Sequence, residues 1–450
     1  MARNRENMPT SMSTPLGINY WRLWIASVIS NLGDGISGVA YPWLASAVTR
    51  NPVHIALVGV ATRLPWLVFS LPAGVITDRV DRRRLVVAMD TIRAIVTIGV
   101  AATVLAFQSD LASPELIASG EAAPPTEAGV LLAVLYGSAL LFGLAEVLRD
   151  NAAQTLMPSV VSKENLEKAN GRLWGAEMVT NSFIGPPLGG FLLAVAFSLP
   201  FFVDAGTFAV SAAMVALLAG SFRPQVKEPS ESRPSFGAEL KEGFRWLWNH
   251  RLLRTLAIVL GFLNAGGGAT TATMVLFAQE VLLLDATGFG LLASAGAVGG
   301  VIGSFAASGV SKALGPGRSL AIAMALSTAP FFVIGLTSSA TLVWVMFAIE
   351  TFAAVLWNVI TVSLRQAIIP DRLLGRVNSV YRFFGWGMMP IGIFIGGLLV
   401  EIVSRLANRD LGLRTPFLAA GVLGLVLMAV AIPRLTTAKI EAARAAAEDG

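Results

Sequence analysis

The chain has 450 residues, of which 55% are hydrophobic and only 14% charged, and its mean hydropathy is +0.69. Soluble globular proteins carry about a quarter of charged residues, so this composition excludes that class and makes a lipid bilayer the solvent. The formal net charge of +5 comes from basic residues scattered between apolar runs, without a continuous basic stripe, so nucleic acid is not an expected partner.

The residues that carry most enzyme chemistry are scarce. Cysteine is absent, which excludes disulfides, thiolate catalysis and cysteine metal sites. The two histidines, His54 and His250, lie at the ends of predicted spans, which argues against a histidine metal cluster inside the membrane. No ATP-binding loop of the GxxxxGK[ST] type occurs. We therefore expect no metal, no cofactor and no enzymatic activity.

Apolar runs of about 20 residues, the length that crosses a bilayer as a helix, recur along the chain. They lack the two-residue alternation of membrane β-barrels. The first run is too long for a signal peptide and has no small-residue cleavage pattern, so it should remain as a span. Twelve spans are predicted and numbered in chain order: 21–47, 54–76, 85–107, 128–150, 172–197, 199–222, 252–283, 287–311, 318–338, 340–368, 377–403 and 415–433.

The joints between the spans predict the orientation. Four basic residues fall in the joints of one side: Arg50, Arg405, Arg409 and Arg414. Most of the 33 lysines and arginines fall on the other side. Because basic joints remain in the cytoplasm, we predict a multi-pass protein of the cell (inner) membrane with both termini cytoplasmic.

The longest joint divides the spans into two sets of six. Residues 1–222 are predicted to form an N-terminal half, 223–250 a cytoplasmic linker, and 251–450 a C-terminal half with a cytoplasmic tail. Part of the linker has the pattern of an amphipathic helix, with Phe236, Leu240, Phe244 and Leu247 opposite Glu239, Lys241, Glu242 and Arg245. Such a helix lies on the membrane surface or in solvent, and the pattern leaves both open.

The two halves share a sequence of landmarks, which predicts a duplicated six-helix unit. After the fourth span of each half come an arginine, a proline, an asparagine and a diglycine. They are Arg149, Pro158, Asn170 and Gly189–Gly190 in the first half, and Arg365, Pro370, Asn378 and Gly396–Gly397 in the second. Two six-helix halves around a midplane site are an architecture of transporters.

The joint after span 2 combines an acid with a basic cluster: Gly74, Asp78, Arg79, Arg82 and Arg83 in the stretch GVITDRVDRRR. Such a cluster either forms a charge latch between moving helices or only anchors the topology. The stretch resembles the GxxxDRxxRR signature of the major facilitator superfamily, at the same place between spans 2 and 3. The resemblance implies that Asp78 and Arg82 belong to a latch of the outward-open state. Asp81 stands where that family usually has glycine.

Span 5 carries proline and small residues in the order Gly185, Pro186, Gly189 and Gly190. Proline kinks a helix and paired glycines let a neighbouring helix approach closely, so ordinary packing explains the pattern too. The stretch resembles the antiporter signature GxxxGPxxGG of the same superfamily, with Asn181 in place of its first glycine. Residues 156–170 and 200–208, around Asp204, resemble the macrolide and enterobactin exporter branch. The resemblance covers nearly the whole chain and implies export.

Charges inside the membrane are costly, so each indicates a function or a partner. Asp34 lies mid-span on a polar face with Asn31 and Tyr41, and is either a proton-coupling site or part of a polar packing network. Glu350 in span 10 is a second coupling candidate. Glu146, Arg149 and Asp150, at the end of span 4, are predicted to belong to the latch. Further candidates for the substrate cavity are Asn264, Trp357 and Asn358.

Span 8 has two GxxxG spacings, in Gly296–Gly300 and Gly299–Gly303. Glycines at this spacing allow close helix contact, either within one chain or between two chains. We favour packing within the chain and expect the protein to function as a monomer.

Taken together, the sequence predicts an all-α major facilitator fold of twelve spans in two pseudo-symmetric halves. The predicted function is proton-coupled antiport that exports amphipathic small molecules of the drug or siderophore type. Its partners would be the substrate, protons and the lipid bilayer. The alternatives are a facilitator or importer of the same fold and, more remotely, a membrane receptor or scaffold.

Overall fold

The computed structural model describes residues 16–77, 79–220, 222 and 236–448. Within them, twelve helices are long and apolar enough to cross a membrane, which confirms the predicted all-α, twelve-span fold. Their bounds are Gly17–Val48, Pro52–Thr77, Arg82–Ala106, Ala128–Val160, Leu166–Val195, Leu199–Ala216, Arg251–Ala272, Ala286–Leu314, Pro316–Leu336, Ala340–Ile368, Asp371–Leu406 and Arg409–Ala431. The chain enters span 1 and leaves span 12 at one end of the bundle, called the terminal face; the other end is the opposite face.

Several helices extend beyond the predicted apolar runs. Span 4 continues to Val160 and span 11 begins at Asp371. Hydropathy marks the segment inside the hydrocarbon core, whereas backbone hydrogen bonding continues through the headgroup region. Span 7 is followed by a break at Thr273 and a short helix, Met274–Glu280, and span 8 is interrupted at Ser294.

The two halves contact each other through spans 2 and 11 and through spans 5 and 8. Diglycines make both contacts close. A Cβ atom added to Gly190 of span 5 would lie 2.3 Å from the carbonyl oxygen of Ala286 in span 8. One added to Gly397 of span 11 would lie 2.5 Å from the Cβ of Ala56 in span 2. The corresponding glycines of the two halves therefore make corresponding contacts.

The apolar core is shared by both halves only near the opposite face. Its largest cluster combines Val48, Ile55 and Leu135 of the N-terminal half with Phe277 and Phe417 of the C-terminal half. All five lie near the ends of their helices at the opposite face. Burial of this apolar surface holds the halves together there.

Near the terminal face, the large buried clusters of the described residues belong to one half each. Leu23 and Leu156 belong to a cluster of the N-terminal half, and Leu253 and Leu364 to one of the C-terminal half. The buried apolar clusters thus join the halves at the opposite face and not at the terminal face.

The amphipathic linker pattern forms a helix, Phe236–Asn249, that packs against span 11. Arg376 contacts Glu239 at 2.7 Å and also pairs with Glu242, and Leu247 is buried in the core of the C-terminal half. The two placements left open by the sequence, on the membrane surface or in solvent, stay predictions. The preceding residues, 223–235, lie outside the described part of the chain.

The glycines of span 8 have two uses. A Cβ on Gly299 would lie 1.9 Å from the carbonyl oxygen of Ala348 in span 10, and one on Gly303 would lie 2.9 Å from Val355. Gly296 and Gly300 instead line the space between the halves. Contacts within the chain therefore occupy the Gly299 face of this helix.

The Gly299→Ala substitution should lower the midpoint of thermal unfolding in detergent, because the new methyl group has no room beside span 10. We expect a loss of about 1 to 3 kcal/mol, the usual cost of overpacking. Gly309→Ala, on the same helix, is the control because no atom lies within 4 Å of its added Cβ. Equal melting curves for the two variants would contradict the close approach of spans 8 and 10.

Candidate functional site

A cavity of about 700 Å³ lies between the two halves. Its N-terminal wall is polar and charged and includes Asp34, Arg63 and Glu146. Its C-terminal wall, in the described residues, has neither charged nor aromatic side chains. Span 8 supplies small residues to that wall: Ala293, Gly296, Ala297 and Gly300. The chemistry of the cavity is therefore concentrated in one half.

Asp34 reaches the cavity because it lies on the polar face of span 1. Asp34, Ser37 and Tyr41 line it, one helical turn or two apart. Asn31 lies one turn before Asp34, donates to the backbone oxygen of Ser27 and lies 3.5 Å from Asn181 of span 5. This face therefore serves both as a cavity wall and as a polar packing surface.

Behind Asp34 lies a buried cation, Arg93 of span 3. Its guanidinium forms an ion pair with Asp34 and lies 3.7 Å from Asp90. The rings of Phe142 and Phe208 lie 4.4 and 3.9 Å from the guanidinium carbon. Arg93 is fully enclosed, so these carboxylates and rings replace its hydration.

Asp90 links Arg93 to a second buried arginine. Its Oδ1 lies 3.5 Å from Nε of Arg149 in span 4, and its Oδ2 accepts a 2.6 Å hydrogen bond from Ser211 of span 6. Arg149 also pairs with Asp150 at 3.3 Å. One connected charge network thus joins spans 1, 3, 4 and 6.

Asp90 and Arg93 are not among the site residues predicted from the sequence. Their spacing of three residues, on a helix that is otherwise apolar, was the available signal, since two opposite charges so placed can pair. The sequence alone does not show that this face of span 3 points towards Asp34 and Arg149.

The predicted latch residues of span 4 divide between two environments. Arg149 is buried in the network and pairs with Asp150, whose side chain is 35% exposed. Glu146 instead lines the cavity and accepts a 3.3 Å hydrogen bond from Trp66 of span 2. At the terminal face, Arg82 donates to the backbone oxygen of Thr155 at 3.1 Å.

The basic cluster after span 2 also ties other helix ends together. Arg83 donates to the backbone oxygen of Leu218, beyond the end of span 6, at 2.7 Å. Asp81 caps span 3, because its side chain accepts a hydrogen bond from the amide of Arg84, and this gives a structural reason for aspartate there. Gly74 lies near the end of span 2 and Arg79 is exposed. Asp78 lies outside the described residues.

The glycine motif of span 5 lies where spans 1, 5 and 8 cross. A Cβ on Gly185 would be 2.7 Å from the Cα of Gly35, and one on Gly189 would be 2.7 Å from the backbone oxygen of Ile36. A π-helical turn, Val179–Ile184, precedes Pro186, whose ring lines the cavity. Because proline has no amide proton, a helix must adjust its hydrogen bonding at that point.

Several candidates in the C-terminal half lie away from the residues that line the cavity. Asn264 donates to the backbone oxygen of Gly385 at 2.8 Å, Trp357 is buried in the C-terminal core, and Asn358 is exposed. Glu350 is not a lining residue, although its neighbour Thr351 is. Their roles remain predictions.

A second charged site closes the opposite face. Glu280, at the end of the helix after span 7, pairs with Arg50 of the joint between spans 1 and 2 and with Arg409 of span 12, at 2.8 Å. Arg409 also donates to the backbone oxygen of Arg50 at 3.0 Å, and Arg50 donates to Gln279 at 2.6 Å. This ion-pair group, Arg50, Glu280 and Arg409, joins the two halves; we call it the opposite-face latch.

Burial alone would raise the pKa of Glu280, but hydrogen bonds and ion pairs with Arg409 and Arg50 outweigh it and hold the pKa below the usual range. The ionised glutamate is therefore the paired form. With a depressed pKa, its contribution to the closed face is fully present above the ordinary glutamate pKa and is lost as the pH falls through the depressed value.

Glu280→Gln should loosen the opposite face, because it removes the charge that both arginines share. The chain has no cysteine, so a single Ala45→Cys, buried in the shared cluster, reports opening through its reaction with a water-soluble maleimide. We expect labelling to be several-fold faster with Glu280→Gln. The control is Asp410→Asn, which breaks an ion pair with Arg414 inside span 12 at the same face. A rate equal to that of the control would contradict a latch.

Comparison with known proteins gives one consistent answer. Residues 10–449 match the family model described as transmembrane secretion effector. The multidrug efflux pump Tap of Mycolicibacterium fortuitum is 28% identical over 420 residues, covering 91% of this chain and 94% of that protein. The enterobactin exporter EntS of Citrobacter koseri is 24% identical over 364 residues, 80% of each chain.

Among solved structures, a point mutant of the nucleoside transporter NupG superposes with a TM-score of 0.70 at 12% identity, covering 93% of this chain and 99% of that chain. This likeness shows the fold alone. It confirms the expected arrangement of two six-helix halves, and the family match confirms the resemblance to the superfamily and its exporter branch. The chain belongs to the transmembrane secretion effector family of major facilitator superfamily transporters.

Proposed function

We propose that this transporter exports amphipathic small molecules of the drug or siderophore type in exchange for protons. The observation that carries the proposal is the cavity between the halves, whose charged wall is backed by more acids than bases. The efflux pump and the siderophore exporter among its relatives support this direction and substrate type. The antiporter-like motif at Gly185 supports export as well.

The balance of buried charge supports proton coupling. Six carboxyl groups lie around the guanidinium groups of Arg93 and Arg149: Asp34, Asp90, Glu146, Asp150, Glu177 and Asp204. Asp90 and Asp204 are fully buried, whereas the side chain of Asp150 is 35% exposed. Even with Arg63 on the cavity wall, the acids outnumber the bases. An unpaired carboxylate in a low-dielectric interior costs several kcal/mol. A proton bound by one of the buried carboxyl groups, or a cation that enters the cavity, would reduce this excess of negative charge.

Asp34 is the acid best placed to bind a proton and to contact a cation in the cavity. It lies on the cavity wall, and it is tied to Arg93 in the dry interior behind that wall. Protonation of Asp34 would neutralise one side of the pair between spans 1 and 3. Since spans 1 and 5 contact each other backbone to backbone at Gly35 and Gly185, movement of span 1 would be passed to the interface with span 8.

Alternating access follows from the two faces. We assign the terminal face to the cytoplasm, because most basic residues of the joints lie there. The structure would then be a state that loads substrate from the cytoplasm, with the opposite-face latch closed. The residues around Asp78 and Arg82 would form the complementary latch when the terminal face closes. We propose Glu350 as a second coupling site in the C-terminal half.

Asp34→Asn should abolish export driven by a pH gradient while leaving exchange of substrate, because asparagine keeps the shape and loses the titration. A panel of antibiotics, dyes and siderophores tested on cells with and without the gene would first identify a substrate. Proteoliposomes would then be assayed for concentrative transport and for exchange. We expect concentrative transport to fall by about tenfold or more.

Glu350→Gln is the parallel variant in the other half. Concentrative export at the wild-type rate by Asp34→Asn would show that Asp34 only packs and would favour Glu350. Energised inside-out vesicles should accumulate the substrate. Accumulation only in right-side-out vesicles would contradict export and favour an importer of the same fold.

Asp78→Asn and Arg82→Ala should each reduce transport and leave the amount of protein in the membrane largely unchanged, because a latch acts on movement rather than on insertion. Transport and abundance would be measured in the same membranes. Loss of the protein would favour a role in topology alone, and normal transport by both variants would remove the latch.

A further inference from the structure

Asp204 of span 6 is a buried acid outside the network of ion pairs. It is 0% exposed. Its Oδ2 accepts a hydrogen bond from Ser37 of span 1, and its Oδ1 lies 3.4 Å from the hydroxyl of Thr207. Ser37 lines the cavity, so a single hydroxyl group separates Asp204 from the space where substrate would bind.

Asp90 is the natural comparison for Asp204. Both are fully buried, and both accept a hydrogen bond from a serine, Ser211 or Ser37. Asp90 has two guanidinium groups within 4 Å, whereas Asp204 makes no ion pair with any described residue. The charges that satisfy an ionised carboxylate are therefore present at Asp90 and missing at Asp204.

The charged and titratable groups that face Asp204 do not supply a free positive charge to pair with an ionised carboxylate. Arg93 of span 3 faces it, but its guanidinium already serves Asp34 and Asp90. From span 1, Asp34 and the hydroxyl of Tyr41 face it, and neither carries a positive charge. An added negative charge at Asp204 would thus meet another carboxylate and an arginine that is already shared.

The hydrogen-bond count at Thr207 points the same way. The hydroxyl of Thr207 lies within donating distance of two oxygens of Asp204, the backbone oxygen at 2.7 Å and Oδ1 at 3.4 Å. A hydroxyl group has one proton to donate, so it cannot fully satisfy both acceptors. Because the contact with the backbone oxygen is the shorter one, Oδ1 receives only the longer and weaker contact.

Span 1 seals this site. A Cβ on Gly33 would lie 2.2 Å from Oδ1 of Asp204 and 2.1 Å from the hydroxyl of Thr207. The bare backbone of span 1 therefore covers the carboxyl group and leaves no room for water on that side. Movement of span 1 relative to span 6 would open the site.

We propose that Asp204 is a proton-binding site that holds a proton while the terminal face is open, and that Ser37 is its route of exchange with the cavity. On release, the carboxyl group passes its proton to the hydroxyl oxygen of Ser37 while that hydroxyl gives its own proton to water in the cavity, which leaves Asp204 as a carboxylate. Coupling of this release to export rests on the proposed function; the bound proton does not.

Infrared spectroscopy of the full-length protein in liposomes tests the proposal without any substrate. A protonated carboxyl group has a carbonyl stretching band apart from that of a carboxylate. At neutral pH the wild type should show such a band, and Asp204→Asn should remove the component that Asp204 contributes, while Asp90→Asn leaves the whole band in place. A spectrum of Asp204→Asn with the full wild-type band would overturn the proposal.

Two serine variants provide a second test that does not depend on the folding of an aspartate variant. Ser37→Ala should shift the carbonyl band, because the carbonyl loses its donor, and should slow hydrogen–deuterium exchange of the carboxyl group several-fold. Ser211→Ala, beside Asp90, is the matched control and should do neither. Equal spectra and exchange for the two serine variants would overturn the assignment of Ser37 and Asp204. Absence of transport with the band intact would count against the proposed function and not against this site.

Discussion

The cost of keeping charge in a low-dielectric interior is the constraint on which this structure depends. Arg93 cannot be hydrated where it lies, so Asp34, Asp90 and two aromatic rings enclose it. Because Asp34, Phe142 and Phe208 come from spans 1, 4 and 6, the enclosure of this one cation on span 3 connects the packing of four helices. A change of protonation anywhere in this network would therefore also change helix packing.

The two halves have unequal chemistry despite their shared architecture. The N-terminal half contains the buried network and the charged cavity wall, whereas the C-terminal half offers a smooth wall of small residues from span 8. Their contacts at Gly190 and Gly397 are nonetheless equivalent. In the proposed mechanism, protonation of the N-terminal network moves the helices of that half, and the glycine contacts pass this movement to the C-terminal half.

The sequence predicts features that depend on neighbouring residues in the chain, but not those that depend on contacts between distant helices. The twelve spans follow from local hydropathy, and the close contacts of Gly185 and Gly189 follow from residue size. Asp34 could be found because a lone acid in a span always needs an explanation. Asp90 and Arg93 could not be assigned to the site from local sequence, because their partners lie on other helices. Asp90 contacts Arg149 and Ser211, and Arg93 contacts Asp34. Trp357 shows the reverse case: depth in the membrane was predictable, but the direction of its side chain, towards the C-terminal core, was not.

The central claim is that protonation of buried acids in the N-terminal half changes which face is open. Pulsed electron paramagnetic resonance on this cysteine-free chain tests it directly, with spin labels across the halves at the terminal face (Arg84→Cys with Lys312→Cys) and at the opposite face (Asp110→Cys with Ser338→Cys). The account predicts that a change of pH alters the two distances in opposite directions, and that Asp34→Asn removes this response. Distances that do not change with pH in the wild-type background would contradict it.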